Sequence, residues 1–335
     1  MKNLFLIFSV LGLCILGGCA SDTDFMYGED PARKYIPAAF SLDNIITKAV
    51  DNTSLGCDMA LSNDNPAISV SMEKEMREGK TRLSHGLKTS WTTANNQVKW
   101  TTGDRIGMFM RDAGGSNSYA RDNVLYTVAS GGAATASLTA DASPLYFPNK
   151  SSSIKFYAYY PYSASVSSLS VNYALPADQS TEQALGSADI MYASPAAQNG
   201  SSPNVPLTFN HQMVLLSFNI KGGILSGLFT LTQVTVSGSA VTNTGVLNMA
   251  TGTLTPNTAS TFTATVNTSK PVSNTLVANV DVIINPCKIV NNSTLLPTEL
   301  KVTLTFGLLS HSTYLVTSGT FVAGTRYVYN LNVAL

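Results

Sequence analysis

Short stretches in which apolar and polar residues alternate follow one another along most of this 335-residue chain. From Ile154 to Tyr160 every second residue is apolar or aromatic, and Pro161 ends the stretch. The last residues, Tyr327 to Leu335, repeat the pattern. A period of two is typical of strands with one buried face, and many such strands between Gly- and Pro-rich turns are typical of β-sandwiches. The pattern therefore predicts an all-β fold.

The chain length indicates two domains, because a domain has roughly 150 residues. We predict an N-terminal β-sandwich over residues 38–200 and a C-terminal β-sandwich over residues 201–335. The segment from Ala193 to Pro206, rich in Pro, Ala, Asn and Ser, is the predicted linker. Residues 52–88 have a less regular pattern, in which the stretch from Met72 to Glu78 predicts a short helix or a disordered insert.

The N-terminus has the features of a secretory signal. Lys2 precedes an apolar run from Leu4 to Leu16, which is shorter than the roughly 20 residues that span a bilayer. The sequence Leu16-Gly17-Gly18-Cys19 resembles the cleavage site of a bacterial lipoprotein signal, in which the cysteine is acylated. We therefore expect a signal peptide over residues 1–18, a tether or propeptide over 19–37, and a covalent lipid on Cys19 with no other cofactor. An ordinary signal peptide that contains a cysteine is the alternative.

The charge balance limits the partners of the chain. Lys plus Arg and Asp plus Glu each number 20, so the formal net charge is zero. Nucleic-acid binding needs a basic surface, and we therefore expect no nucleic-acid partner. Only 12% of the residues are charged, about half the usual quarter. The polar surface therefore consists mainly of Ser, Thr, Asn and Gly, as on many extracellular β proteins.

Cys57 and Cys287 are the two cysteines that remain in the predicted domains. In an oxidising compartment they could form one disulfide. Two separate buried thiols fit the sequence equally well.

The sequence contains no nucleophile elbow, Walker loop or zinc-protease motif. Its three histidines are His85, His211 and His311, and none has a cysteine, histidine or carboxylate at the spacing of a metal site. We therefore expect a protein that is not an enzyme and binds no metal.

A series of short motifs occurs in a fixed order from Trp100 to the C-terminus. The motifs are Trp100 to Gly107, Phe156 to Pro161, Leu175 to Ser180, Ala188 to Ala193, Leu207 to His211 and Gly324 to Leu331. Behind a lipoprotein signal, this ordered set resembles the fimbrillin family of Bacteroidetes.

Four residues of these motifs have a structural interpretation. Gly103 suits a turn conformation that other residues resist, and Asp104 can accept bonds from backbone amides of that turn. Trp100 can bury a large area. We expect His211 to pack at the junction of the two domains, with its ring bonded to backbone.

The resemblance implies two transthyretin-like β-sandwich domains in tandem and a fimbrial subunit or pilus-associated adhesin at the outer membrane or in the fimbrium. In polymerising members an Arg-specific protease removes the lipidated leader and a first strand, and a strand of another subunit fills the groove. In this sequence the strand to be removed lies within Ala38 to Ala49, and Arg33 and Lys48 are the candidate cleavage sites. Arg33 lies before that strand, whereas the later basic residue is Lys48 and not an arginine, which departs from the family pattern.

The partners implied are other fimbrial subunits by strand addition, the outer membrane through the lipid, and a host or bacterial surface ligand. The C-terminal strand from Tyr327 to Leu335 is either the donated strand or a fixed part of the sandwich. The alternative function is that of a monomeric, surface-exposed lipoprotein that binds glycans or host proteins. Tyr157, Tyr159 and Tyr162 could stack on sugar rings in that case.

Overall fold

A computed structural model describes residues 36–46, 60–61, 68–73, 100–132, 135–141, 143–222, 229–257, 261–290 and 299–334 of the chain. Within these ranges strands dominate, and the predicted all-β fold is confirmed.

The described strands of the first part are β1 (Ile36–Pro37), β2 (Ala39–Ile46), β3 (Ala60–Leu61), β4 (Ile68–Glu73), β5 (Arg105–Asp112), β6 (Arg121–Val128), β7 (Ala136–Ala140), β8 (Tyr146–Phe147), β9 (Ile154–Tyr160) and β10 (Ser170–Ala174). A short helix, α1 (Glu182–Ala188), follows. The hydroxyl of Thr181 accepts a hydrogen bond from the Ala184 amide and caps the start of α1.

The described strands of the second part are β11 (Met191–Ala193), β12 (Asn204–His211), β13 (Val214–Gly222), β14 (Thr230–Ser237), β15 (Thr244–Asn248), β16 (Thr253–Pro256), β17 (Ala264–Pro271), β18 (Ala278–Ile284), β19 (Cys287–Val290), β20 (Lys301–Phe306), β21 (Leu309–Tyr314), β22 (Val316–Phe321) and β23 (Arg326–Val333).

Seven strands close into a ring in the order β11-β12-β2-β7-β6-β5-β9, and β9 pairs with β11 to complete it. Alternation on β9 places Ile154, Phe156 and Ala158 in the buried core, while Lys155 and Tyr157 are only partly buried. The ring is antiparallel except where β2 runs parallel to β12.

Two four-stranded sheets contain most of the remaining strands, in the orders β18-β13-β23-β4 and β17-β14-β20-β21. On β13 the side chains of Val214, Leu216, Phe218 and Ile220 are fully buried. The ring of Phe218 stacks on that of Tyr329 on the neighbouring β23, with centroids 6.0 Å apart. Smaller sheets pair β1 with β8, β10 with β15 and β16, and β19 with β22 and β3.

Several strands pair across the predicted domain boundary at residues 200 and 201. Strand β12 belongs to the ring with β2 and β11, and β10 pairs with β15 over five residue pairs. Strands β3 and β4 pair with β22 and β23 near the C-terminus. The division into two domains stays a prediction.

Two segments with local predictions include strand residues in the structure. The predicted linker from Ala193 to Pro206 extends into β12, where Val205 is fully buried. The stretch predicted as a helix or insert from Met72 begins inside β4, and its residues after Glu73 lie outside the described ranges. In both places pairing with distant strands decides the local conformation, which local composition does not report.

Candidate functional site

Strand β2 is the described part of the predicted removable strand from Ala38 to Ala49. It pairs in parallel with β12 from Ala39 opposite Asn204 to Ile46 opposite Asn210. The register shifts after Leu42, because Asp43 has no partner on β12. On its other side β2 pairs antiparallel with β7 at two positions only, Ser41 with Ser137 and Leu42 with Ala136.

The inward side chains of β2 complete the core of the ring. Phe40 is 7% exposed and Leu42 is 1% exposed. The Phe40 ring meets the rings of Tyr126 and Phe156 edge-on, with centroid distances of 5.2 Å and 5.1 Å. Burial of a large apolar side chain contributes about 1.5–3 kcal/mol to the stability of the fold. Removal of β2 would therefore expose an apolar groove along β12.

Two backbone hydrogen bonds hold the chain where β2 begins. The amide of Ala38 donates to the carbonyl of Leu145 at 3.1 Å, and the amide of Ala39 donates to the carbonyl of Pro203 at 2.9 Å. The Leu145 amide in turn donates to the hydroxyl of Tyr126. Backbone hydrogen bonds and core contacts thus keep β2 in its place in the ring.

The predicted processing residues lie outside the described ranges. These are Cys19 and the two candidate cleavage sites, Arg33 and Lys48. In the sequence Arg33 precedes β1 by three residues and Lys48 follows β2 by two. A cut after Lys48 would separate β2 from the rest of the chain, whereas a cut after Arg33 would leave it attached.

The predicted disulfide also stays a prediction, because Cys57 lies outside the described ranges. Cys287 begins β19, opposite Phe321 on β22. Burial raises the pKa of the Cys287 thiol to about 12. A thiol in that setting stays protonated and reacts slowly.

The motif around Trp100 combines a buried indole with an exposed turn that leads into β5. Trp100 is 2% exposed and lies edge-on between Tyr160 and Phe209, with centroid distances of 5.7 Å and 5.2 Å. The Asp104 carboxylate accepts from the Thr101 amide at 2.8 Å, and Gly103 adopts a φ of 92°. That φ favours glycine, since other residues are strained there.

His211 is bonded to a carboxylate and not to backbone, so the predicted partner of its ring is wrong. Its Nδ1 lies 2.8 Å from Oδ1 and 2.7 Å from Oδ2 of Asp189, and both side chains are fully buried. The ring's Nε2 has no hydrogen-bond partner among the described residues. Asp189 lies two residues before the start of β11, and pairing of Met191 with His211 brings Asp189 and His211 together. The Ala188 to Ala193 motif contains Asp189, but the sequence analysis gave the residue no role, because its contact with His211 joins residues 22 positions apart.

A second buried polar contact ties the Leu175 to Ser180 motif to β18. Gln179 is 2% exposed. Its Nε2 donates to the Ile283 carbonyl at 2.9 Å, and its Oε1 accepts from the Ile283 amide at 2.8 Å. The side chain thus behaves like one more strand residue beside β18.

The C-terminal strand β23 lies inside a sheet. It pairs in parallel with β13 from Arg326 to Val333 and antiparallel with β4 on its other side. The sequence reasoning missed β4. Its alternation of Ile68, Val70 and Met72 with polar residues was the available signal.

The three tyrosines considered for sugar stacking differ in accessibility. Tyr159 is 1% exposed and donates its hydroxyl to Asn123 at 2.7 Å. Tyr162 is half-buried under the guanidinium of Arg105, 4.9 Å from the ring centroid. Tyr157 is partly exposed at the edge of a cleft. Of the three, Tyr157 therefore offers a ring to a cleft, while Tyr159 belongs to the core.

Among the described residues no group of three or more His, Cys, Asp or Glu side chains is placed to hold a metal ion. A search of the same residues for helices of sufficient length and apolar character to span a membrane found none.

Residues 92–334 match the model of a family described as fimbrillin-like. The chain belongs to the fimbrillin-like family. The matched region begins shortly before Trp100 and contains the ring strands from β5 onward, but it leaves out the four strands β1 to β4. A comparison with curated proteins found no significant match.

Two solved structures resemble the fimbrillin-like chain over most of their length. One is a protein from Bacteroides uniformis to which a role in cell adhesion is ascribed, with 24% identity, a TM-score of 0.56, and coverage of 70% of this chain and 88% of that one. The other, from Bacteroides ovatus and given the same role, has 16% identity, a TM-score of 0.55, and coverage of 90% and 93%. At these identities the likeness shows a shared fold.

Proposed function

We propose that this fimbrillin-like protein is a fimbrial subunit or pilus-associated adhesin, and that β2 is a placeholder strand which a strand of another subunit replaces. The family match supports the fimbrial part. The adhesion role ascribed to the two similar structures is consistent with it. The pairing of β2 carries the proposal for assembly.

The backbone pairing of β2, rather than its core packing, favours exchange. It pairs with β12 in parallel, which is slightly less stable per residue than antiparallel pairing, and its register shifts after Leu42. Only two residue pairs join it to β7. An incoming strand that pairs antiparallel with β12 and places apolar side chains where Phe40 and Leu42 lie would gain backbone bonds and keep the core buried.

A contact of this kind joins unlike surfaces of two copies. Such a heterologous contact does not close on itself and extends into a filament. The lipid on Cys19 would hold the precursor at the outer membrane until proteolysis separates the leader from the domains, and two or more acyl chains would suffice for stable anchoring.

The two candidate cleavage sites predict different products. We expect limited digestion with a trypsin-like protease, followed by N-terminal sequencing and electron microscopy, to give filaments only from product that begins after Lys48. Lys48→Gln should block filament formation, and Arg33→Gln should not. The released peptide should be absent from purified filaments by mass spectrometry.

A trimmed protein that loses β2 and stays monomeric at high concentration would contradict the assembly proposal. That result would favour the alternative, a monomeric surface lipoprotein that binds glycans or host proteins.

A further inference from the structure

A cleft of about 520 Å³ opens on the outer side of β5 and β9. Arg111, Asp112, Ser116, Lys155, Tyr157 and Leu169 contribute to its walls. Its volume lies within the roughly 300–1,000 Å³ of small-molecule sites. In the ring β12 and β11 separate β2 from β9, and β7 and β6 separate it from β5. The cleft is therefore distinct from the groove that β2 fills.

Two cationic side chains face each other across the floor of this cleft. Arg111 on β5 and Lys155 on β9 are direct partners in the antiparallel register. Like charges in directly opposite positions destabilise a sheet. Only 12% of the residues of this chain are charged. Asp122 pairs with Arg111 and offsets part of this repulsion, and an anion bound between the two cations would offset more of it.

The two cations have hydrogen-bond donors to spare. Arg111 is held by Asp122 at 2.5 Å and donates to the carbonyls of Met110 and Arg121. Three of its five N–H donors are then used among the described residues. Lys155 donates to the carbonyl of Pro195 at 2.8 Å, which uses one of three. Two donors on each side chain remain for a ligand.

An aromatic ring and a polar loop border the cations. The Lys155 ammonium lies 5.9 Å from the centroid of the Tyr157 ring. On the other side, Asp112 accepts from the Gly114 amide at 3.1 Å and from the Ser116 hydroxyl at 2.8 Å. These bonds lower the pKa of the Asp112 carboxyl and keep it as an acceptor. A ring for apolar contact, cations, and an acceptor for hydroxyl groups thus lie within one cleft.

We infer that this cleft binds the carboxylate-bearing pyranose of an acidic glycan, a sialic acid or a uronic acid. The sugar carboxylate lies between Arg111 and Lys155 and accepts hydrogen bonds from both. Such charge-assisted hydrogen bonds are stronger than hydrogen bonds between neutral groups. The pyranose ring packs against Tyr157, and a ring hydroxyl donates to Asp112. The inference goes beyond strand exchange and does not depend on it.

Calorimetry on the full chain with sialyllactose, oligogalacturonate and lactose tests this inference. We expect one or both acidic sugars to bind and neutral lactose not to bind. Binding of sialyllactose indicates a sialic acid as the ligand, and binding of oligogalacturonate indicates a uronic acid. Lys155→Gln should weaken binding about tenfold or more, since a hydrogen bond to a charged group is lost. Lys150→Gln, at an exposed lysine in the turn before β9, is the matched control. Binding should weaken as salt concentration rises.

No binding of either acidic sugar, equal binding of lactose, or an equal loss in Lys150→Gln would overturn the inference. An acidic peptide titrated in the same way tests the class of ligand. Binding of that peptide without binding of either acidic sugar would overturn the assignment to a glycan. Filament formation by the trimmed Lys155→Gln variant separates the two proposals, because it should be unchanged whether or not the cleft binds a glycan.

Discussion

The ring of Phe40 meets the ring of Phe156 edge-on, with centroids 5.1 Å apart and planes at 84°. Phe40 lies on the strand that precedes the family-matched region, and Phe156 lies on the ring strand β9 within it. Phe156 in turn meets Phe147 edge-on at 5.4 Å. The core of the ring therefore depends on a side chain from a segment outside the family's matched region.

Phe40→Ala should lower the free energy of unfolding by about 3–5 kcal/mol, because it empties a packed position among Tyr126 and Phe156. Chemical denaturation measures this change. Ala39→Ser, at the exposed neighbouring position, is the control and should stay within about 0.5 kcal/mol. A loss in Phe40→Ala no larger than that of the control would show that β2 does not pack as described.

Gln179→Leu should lower the free energy of unfolding, because the backbone amide and carbonyl of Ile283 both lose a buried hydrogen-bond partner. The expected cost is about 1–3 kcal/mol for each of these two groups. Thermal or urea unfolding of the purified variant tests this. Gln183→Leu, at an exposed position of α1, is the matched change and should have little effect. Equal stability of the two variants would count against the contact between Gln179 and β18.

Asp189→Ala should lower the free energy of unfolding by about 1–3 kcal/mol, because it leaves Nδ1 of the buried His211 ring without its hydrogen-bond partner. Asp189→Asn keeps an oxygen acceptor for Nδ1 and should cost less than half as much. Urea unfolding of the two variants gives the comparison. An Asn variant as unstable as the Ala variant would indicate that the charge of Asp189, and not the hydrogen bond, dominates.

The carboxyl of Asp281 should make stability fall as pH rises. Burial raises its pKa above the ordinary 3.8, and the Ser217 hydroxyl and the charges of Arg326 and Lys270 offset only part of this effect. Below the unfolded-state pKa the group is protonated in both states, and the penalty is absent. As pH rises through the raised folded-state pKa, the penalty of burying the charge develops.

In Asp281→Asn the carboxyl is replaced by an amide that does not ionise, so the variant is the direct comparison for the wild type. The free energy of unfolding of the variant, minus that of the wild type, should increase from acid to neutral pH. Urea unfolding at a series of pH values measures it. A constant difference, or one that decreases with pH, would contradict the assignment.

The parts of the fold that local pattern decides could be predicted from the sequence. Alternation along β9 and β23 identified strands, and Gly103 with Asp104 indicated a turn, because a half-buried strand and a tight turn each leave a local pattern. The ordered motifs indicated the family. The position of β2 could be proposed from the resemblance, but its parallel pairing with β12 could not.

The missed features depend on contacts between distant residues. In β4 the strand alternation overlaps the helix-forming stretch after Met72, and its pairing with β23 leaves no local signal. Asp189 and His211 are 22 positions apart and meet only because β11 and β12 pair. The cationic pair of Arg111 and Lys155 appears only once the register of β5 and β9 is known.

A disulfide that ties β2 to β7 tests strand exchange most directly. Ser41 and Ser137 are direct antiparallel partners, and both side chains are exposed. Such partners have Cα atoms about 4.5–5.5 Å apart, which suits a disulfide. We expect the Ser41→Cys, Ser137→Cys double variant, once oxidised and cut after Lys48, to keep β2 and stay monomeric in size-exclusion chromatography. Reduction should release β2 and restore filament formation, and Ser41→Cys alone should assemble without reduction. Filaments from the oxidised, cut double variant would contradict the account, because they would form while β2 still fills its groove.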